Sequence, residues 1–394
     1  MLNSLILVVN PGSASRKYAL FADGLKKATV HFEFVDGSVV GAVEANGKKQ
    51  SVKYNDQTLE NACSYVLPLL HQYRVIEPLE TLRAIGVRVV APSDSFAKDM
   101  VLDDNLIEDL RALQQKAPIH ITTVLAEIQK LKESFAGIPL IAISDSAFHS
   151  TKPDYACHYG VSTELAEKFG IKRYGYHGIS VSSVVRRLAE SNKLKPKTII
   201  CHIGSGSSVT ALLDGHSIET TMGYSPLEGL MMSTRSGSID VAAALAIMRE
   251  LKLSDIELEQ YLNKKSGLIG VSGESDDIRQ LLVAEEQGNK NAKLALQIFV
   301  YKIQQAIGQM AASLNGVDCL VFTATISERS FVIRERILKN LGYLGFEINK
   351  VINEKTFEPK PVTDIAAQNS KPILVAATDE SAEIARRTEE IINR

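Results

Sequence analysis

Residues suited to gripping a phosphate occur twice in this chain. An apolar run, Ile199-Ile200-Cys201-His202-Ile203, stops at Gly204-Ser205-Gly206-Ser207-Ser208, and a second run, Val209 to Leu213, ends at Asp214-Gly215. Run, turn, run is a hairpin signal. Glycines let a backbone approach a ligand closely, and their amides can point at an anion. Downstream, Arg235 stands among small residues, Thr234 and Ser236-Gly237. An arginine fork gives phosphate two parallel charge-assisted hydrogen bonds. Taken alone, this pattern is equally a polar hairpin and a surface arginine. The second copy lies at the N-terminus: Leu5 to Val9, then Asn10-Pro11-Gly12-Ser13-Ala14-Ser15-Arg16-Lys17, then Tyr18 to Phe21, then Asp23-Gly24. Laying Gly12 on Gly204 puts Ser13 on Ser205, Ser15 on Ser207, Ala19 on Ala211 and Leu20 on Leu212, and one inserted residue later Asp23-Gly24 meets Asp214-Gly215. A supersecondary unit repeated about half a chain apart suggests a duplicated domain. Two such turns facing each other would hold phosphates from both sides.

Other residues could join them. Arg88 lies inside an apolar strand pattern, Leu82 to Val90. A charge there is paired in a structural salt bridge or faces a site. Asp145 follows the strand-like Pro139 to Ile143. It is either a turn or cap residue or a carboxylate at the carboxyl edge of a sheet, where open α/β folds bind ligands. His177 sits in Arg173-Tyr174-Gly175-Tyr176-His177-Gly178, as a packed residue or a catalyst. Glu380, in Thr378-Asp379-Glu380, is a helix cap or a metal carboxylate.

The elements that position these residues follow from periodicity. Residues 5–55 read as strands turning at Asp23-Gly24, Asp36-Gly37 and Asn46-Gly47, and residues 58–73, 103–116 and 120–135 read as helices. Further helices are expected at Ser180 to Ser191, 239–251, 255–264, from a cap at Ser275-Asp276-Asp277 to about Glu286, and at Ser381 to Ile392. A long amphipathic helix at 290–314 suits a core or a subunit contact. Gly267 to Asp277 reads as a loop, Cys319 to Phe322 as a strand that breaks at Thr323 to Glu328, and Pro372 to Ala376 as the last strand. A boundary is placed at Thr151, where composition turns polar. The chain has 394 residues, 45% hydrophobic and 23% charged, with a net charge of −2. That is an ordinary globular composition with room for two cores and no basic cluster for nucleic acid. The cysteines Cys63, Cys157, Cys201 and Cys319 lie far apart, which fits a reducing cytoplasm. The apolar run Leu5 to Val9 is too short for a signal peptide or a membrane span.

Together these motifs resemble the acetate kinase family, in the superfamily of acetate and sugar kinases, heat-shock ATPases and actin. Asn10 to Lys17 is similar to its Asn-x-Gly-Ser-x-Ser-x-Lys, Arg173 to Gly178 to its Arg-Tyr-Gly-Phe-His-Gly, and Met222 to Asp240, MGYSPLEGLMMSTRSGSID, to its signature almost letter for letter. The resemblance spans nearly the whole chain. It implies a duplicated actin-like, ribonuclease H-like α/β fold with a mixed sheet flanked by helices in each domain and the site in the cleft between them. The first domain would be 1–150 with 380–394, the second 151–379.

The resemblance also implies roles, position by position. Asn10 and Glu380 match the residues that hold Mg2+, chiefly through water, with Mn2+ as a substitute. Ser13, Ser15 and Lys17 match the first phosphate loop, and His202, Gly204, Ser205 and Gly206 the second. Arg88 and Arg235 match the arginines that bracket the carboxylate and the transferred phosphoryl group, Asp145 the active-site aspartate, and His177 the transition-state histidine. Asp277, Arg279, Thr325, Ser327 and Arg329 match the nucleotide side. Val90, Ile119, Tyr176 and Pro226 match the pocket for the acyl methyl, where the family usually has Phe for Tyr176. The implied reaction is reversible transfer from ATP to acetate, giving acetyl phosphate and ADP, in a cytoplasmic homodimer. Acetate is already ionised, so positioning and charge neutralisation matter more than a general base.

Four segments depart from the family pattern. Gly-His-Arg-Val-Val-His-Gly-Gly is Gly86-Val87-Arg88-Val89-Val90-Ala91-Pro92-Ser93 here, and Ala-Pro-Leu-His-Asn-Pro is Ala117-Pro118-Ile119-His120-Ile121-Thr122. These changes flank the acyl side and point to a raised KM for acetate. His-Leu-Gly-Asn-Gly is His202-Ile203-Gly204-Ser205-Gly206, and Gly-Ile-Gly-Glu-Asn is Thr325-Ile326-Ser327-Glu328-Arg329. Lost glycines and an added cation would narrow the nucleoside pocket, which admits pyrophosphate as a donor in place of ATP. The residues also leave open propionate as acceptor, or an inactive nucleotide-binding relative.

Overall fold

The computed structural model describes residues 5–12, 15–35, 37–76, 82–114, 118–359 and 361–394, without the side chains of 118–120. Ser13, Asp36, and the side chain of Ile119 therefore lie outside the described residues. The chain divides into two compact units, Met1–Ala147 with Asp379–Arg394, and Phe148–Thr378.

The first unit is built on strands β1 (Leu5–Pro11), β2 (Ser15–Ala22), β3 (Leu25–Val35), β4 (Ser38–Ala45), β5 (Lys48–Tyr54), β6 (Leu82–Val89), β7 (Met100–Val101) and β8 (Leu140–Ser144). They form one sheet in the order β5-β4-β3-β2-β1-β6-β8-β7. The second unit carries β9 (Lys197–Ile203), β10 (Ser207–Leu213), β11 (His216–Thr220), β12 (Cys319–Thr323), β13 (Val362–Asp364) and β14 (Ile373–Ala376). Their order is β11-β10-β9-β12-β14-β13. The first five strands in that order repeat the run β3-β2-β1-β6-β8, with β1–β2 and β9–β10 antiparallel and β1–β6 and β9–β12 parallel. The central strands are covered on both faces, which is why they read as unbroken apolar runs. The edge strand β5, KKQSVKY, is largely exposed, and its lysines discourage pairing with another chain.

The alignment of the two hairpins by sequence needs a correction. Pro11 pairs with Arg16 in the first, whereas Ile203 pairs with Ser207 in the second. The Gly12 N–H donates to Ser15 O, and the Gly204 N–H to Gly206 O. The extra residue therefore lies in the first turn and not after Leu20. Leu20 falls on Ala211, and a bulge follows each of them at the same step. Asp23-Gly24 and Asp214-Gly215 then coincide with no further insertion. Both residues of each pair have positive φ, 50° and 74°, and 48° and 83°, the backbone of a two-residue type I′ turn.

Other expectations change where packing overrides local pattern. Gly267 to Asp277 is not all loop: Gly267–Ser272 is a helix, with Leu268 fully buried and Gly273 ending it at φ 65°. The break after β12 contains a helix, Thr325–Arg329. Strands β7, β11 and β13 are too short or too polar to stand out by periodicity. Helix Lys290–Ser313 sinks Leu296, Phe299, Ile303, Ile307 and Met310 into its own unit's core. The closing helix, Glu380–Ile392, packs on β1 and β6.

That last packing demands a glycine. A Cβ on Gly86 would fall well inside contact distance of Thr388 Oγ1 and 2.9 Å from Ile384 Cγ2. Gly86→Ala is expected to destabilise the fold by about 1–3 kcal/mol through overpacking. Urea denaturation checks this, and Thr388→Ala in the same chain should recover part of the loss.

Candidate active site

In the first unit, β1 ends on Asn10-Pro11, β6 on Arg88-Val89 and β8 on Ser144, all at one edge because these strands run parallel. Arg88 Nη2 donates to Asp145 Oδ2 at 2.9 Å, and Nη1 donates to Asn10 Oδ1 at 3.2 Å. The Asn10 amide in turn donates to Glu380 Oε2 at 3.2 Å. Glu380 opens the closing helix, so residues far apart in sequence join one network. Burial disfavours the Arg88 charge, but the carboxylates of Asp145 and Glu380 more than offset it, and the guanidinium holds its proton above the usual arginine range. Asp145 is 1% exposed and extends the sheet register, its N–H donating to Val89 O at 2.9 Å. It serves as the carboxylate partner of Arg88.

Two residues that the sequence did not single out hold this arrangement from behind. Arg387 donates to both Asp99 oxygens, at 2.7 and 2.6 Å, and to Ser144 O at 3.1 Å. Asp99 Oδ1 also accepts from the Ser144 N–H at 2.9 Å. No local motif marks either residue. Only an arginine on a closing helix with no assigned partner would have raised the question. The first turn has its own anchor. Arg16 donates to the carbonyls of Gly12 and Ser15, and its Nε lies 3.3 Å from buried Glu127. Lys17 is exposed, opposite Asn10 in register, and Val90 is half-buried just past β6.

In the second unit the turn after β9 meets an imidazole and a guanidinium. A Cβ on Gly206 would stand 3.2 Å from His177 Nε2 and 3.6 Å from Arg235 Nη1. Glycine there leaves room for both. His177 precedes helix Gly178–Glu190 at φ 63°, and its Nδ1 lies 2.9 Å from Ser208 Oγ. That bond turns Nε2 towards Gly206. The His177 ring stacks on His202 at 4.1 Å, and His202 Nδ1 lies 2.8 Å from Ser180 Oγ. Arg235 Nη1 also reaches Pro226 O at 3.5 Å, which brings one expected pocket residue to the cluster. Its backbone is clamped by helix Gly267–Ser272: the Leu268 N–H donates to Met232 O at 2.9 Å, and Met232 N–H to Arg235 O at 3.0 Å. Gly267, at φ 64°, has those carbonyls where a side chain would go. Tyr176 is fully buried and donates its hydroxyl to Tyr224 O at 2.7 Å, so its extra oxygen over Phe is committed to backbone.

The residues expected on the nucleotide side have their own local partners. Asp277 caps helix Ile278–Glu286 and pairs with Arg279, which holds its carboxyl below the usual range. Arg329 pairs with Glu358 and lies over the Phe357 ring. Ser327 is buried and donates to Thr323 O within its own turn, while Thr325 is exposed. Among the described residues no group of three or more His, Cys, Asp and Glu side chains could hold a metal. The amide and carboxylate oxygens of Asn10 and Glu380 still fit Mg2+, a hard cation that keeps several waters and takes few protein ligands.

Known proteins share both the motifs and the fold. The family model described as the acetokinase family matches residues 5–386. An acetate kinase of Clostridium botulinum (strain Okra / Type B1) is 40% identical over 396 residues, covering 98% of this chain and 99% of that one. The crystal structure of Porphyromonas gingivalis acetate kinase superposes with a TM-score of 0.87 at 30% identity, over 99% of this chain and 100% of that one. A propionate kinase from Francisella tularensis superposes with a TM-score of 0.90 at 33% identity, over 98% and 100%. With a full-length family match, relatives of this identity and a site assembled from the motifs themselves, the chain belongs to the acetokinase family.

Proposed function

We propose that this protein is an acetate kinase, transferring the γ-phosphoryl group of ATP to acetate to give acetyl phosphate and ADP, reversibly. The observation that carries the reading is the meeting of His177, Arg235 and the side-chain-free Gly206 at the end of β9. Two donors converge on backbone with no side chain in the way, an arrangement suited to a phosphoryl group. A carboxylate oxygen of acetate forms the new bond to phosphorus as the bond to ADP breaks. Acetate brings no proton to remove, and Asp145 is bound to Arg88, so Asp145 orients the arginine and is not the base. Asn10 and Glu380 would hold Mg2+, which when bound neutralises phosphate charge. Lys17, Ser13 and Ser15 belong to the donor-phosphate side, with His202, Gly204 and Ser205; Asp277, Arg279, Thr325, Ser327 and Arg329 belong to the nucleoside side. The motifs assign Val90, Ile119, Tyr176 and Pro226 to the acyl methyl of the substrate. Ser327 turns inward and Arg329 is paired with Glu358, which supports ATP over pyrophosphate. The four cysteines are free thiols, in keeping with a cytoplasmic protein, and no helix among the described residues is long and apolar enough to cross a membrane.

Acetyl phosphate trapped as its hydroxamate, with ATP, GTP or pyrophosphate at equal Mg2+, tests the donor. ATP is expected to give product, and turnover with pyrophosphate alone would reject it. Acetate should be used in preference to butyrate, with propionate compared alongside. Arg235→Ala should lower kcat by more than ~10²-fold with the fold intact, as loss of a transition-state charge partner does. A variant turning over near the wild-type rate would remove Arg235 from the mechanism.

The protein is further proposed to be a homodimer. Helix Val241–Glu250, VAAALAIMRE, buries none of its residues, and Val241 is 73% exposed. So apolar a helix face suits a second copy of the chain. Light scattering should give twice the chain mass for the wild type and the single-chain mass for Leu245→Asp. A wild-type monomer would overturn the assignment.

A further inference from the structure

The carboxylate of Glu328 has no role in the chemistry above, yet one of its oxygens joins the ends of two central strands. Glu328 Oε1 accepts from the Ala324 N–H at 2.7 Å, just past β12, and from the Thr378 N–H at 3.2 Å, just past β14. The Thr323 hydroxyl lies 3.4 Å from the same oxygen. The Glu328 N–H returns a bond to Ala324 O at 2.8 Å. One strand end lies against the turn after β9, and the other is linked to the last residues of β9 through Ser180. Ala324 holds φ 71°, a backbone conformation unusual for any residue with a side chain, and its methyl is 3.5 Å from where a Gly204 Cβ would be. Thr378 Oγ1 accepts from the Ser180 hydroxyl at 2.9 Å. With that proton given to Thr378, Ser180 Oγ is left to accept from His202 Nδ1, 2.8 Å away. His202 stacks on His177.

We propose that Glu328 is a positioning residue for phosphoryl-donor binding: through Ala324 it presses the backbone against Gly204, and through Thr378 and Ser180 it fixes the His202 ring. The inference rests on the phosphoryl-transfer reading for its chemistry. Its geometry lies wholly within the second unit. Glu328 Oε1 meets two backbone amides and the Thr323 hydroxyl, all donors, so what the position requires is an acceptor oxygen at that reach. A glutamine keeps an acceptor oxygen at the same reach, whereas alanine removes it.

The test compares wild type, Glu328→Ala, Glu328→Gln and Thr378→Val. Acetyl phosphate formation gives KM for ATP and for acetate separately, and titration calorimetry with ADP gives donor affinity without turnover. Glu328→Ala should raise KM for ATP and weaken ADP at least ~10-fold while moving KM for acetate less than ~2-fold, and Glu328→Gln should restore most of the loss. Thr378→Val keeps the backbone N–H but cuts the branch to His202, so it should raise KM for ATP and weaken ADP by less than Glu328→Ala does, with KM for acetate within ~2-fold. Equal loss for both substrates, a glutamine as damaging as alanine, or unchanged ADP affinity in Glu328→Ala would overturn the proposal. If the alanine variant does not fold, Glu328→Gln with wild-type parameters together with the Thr378→Val split supports it, and failure of either overturns it. A wild type that binds ADP but makes no acetyl phosphate counts against the function alone, and one that binds neither ADP nor pyrophosphate counts against both.

Discussion

A guanidinium at the end of a buried strand has to find carboxylates or lose its place, and in this protein Arg88 finds two. Asp145 meets it directly, and Glu380 does so through Asn10. The three strands and the helix that deliver these groups are fixed by that need as much as by their apolar faces. β1, β6 and β8 must end together, and the closing helix must begin where β1 stops. Burial alone would disfavour the charge, so the network is costly to assemble and costly to break. The Arg387–Asp99 pair follows the same rule one layer back, with a buried cation directing its donors at the carboxylate and carbonyl that hold the end of β8.

The second unit repeats the architecture but solves a different problem. At the position of Asn10 on β1 it has His202 on β9, and in place of an ion network it offers stacked imidazoles and Arg235 around a glycine. The two hairpins differ in length by one residue, and that residue lies in the turn. Strand pairing, bulge and type I′ turn are retained because each inserted residue inside a strand would send every later side chain to the other face. A turn can absorb the change. Repeated folds can therefore diverge in the loops that touch ligands while their sheets stay in step.

Substitutions that look obstructive along the chain are accommodated by hydrogen bonding. Ser327 replaces a glycine of the family pattern and folds its hydroxyl onto its own turn, Arg329 pairs with Glu358, and the Tyr176 hydroxyl binds a backbone carbonyl. A polar group buried without a partner would have been costly, and the buried Ser327 and Tyr176 hydroxyls each have one. The glycines at 86, 206 and 267 are different. At 86 and 267 an added Cβ would collide with packed side chains or carbonyls, and at 206 it would press on the His177 ring, so those positions have less latitude.

The repeated hairpin, the order of the long strands and helices, and the residue types gathered at the site were legible in the chain, since periodicity, Asp-Gly turns and motif spacing are local properties. Type I′ turns at Asp23-Gly24 and Asp214-Gly215 could be read directly because few residues tolerate two positive φ angles in succession. Packing governed what depends on partners distant in the chain. It gave Arg88 its partners Asp145 and Glu380, and it made a helix of Gly267–Ser272 because Leu268 had a core to enter and Arg235 a backbone to be held. It alone revealed Asp99 and Arg387, and the two strand ends that Glu328 joins. A carboxylate's ordinary appearance in a sequence carries no information about which backbone amides will come to meet it.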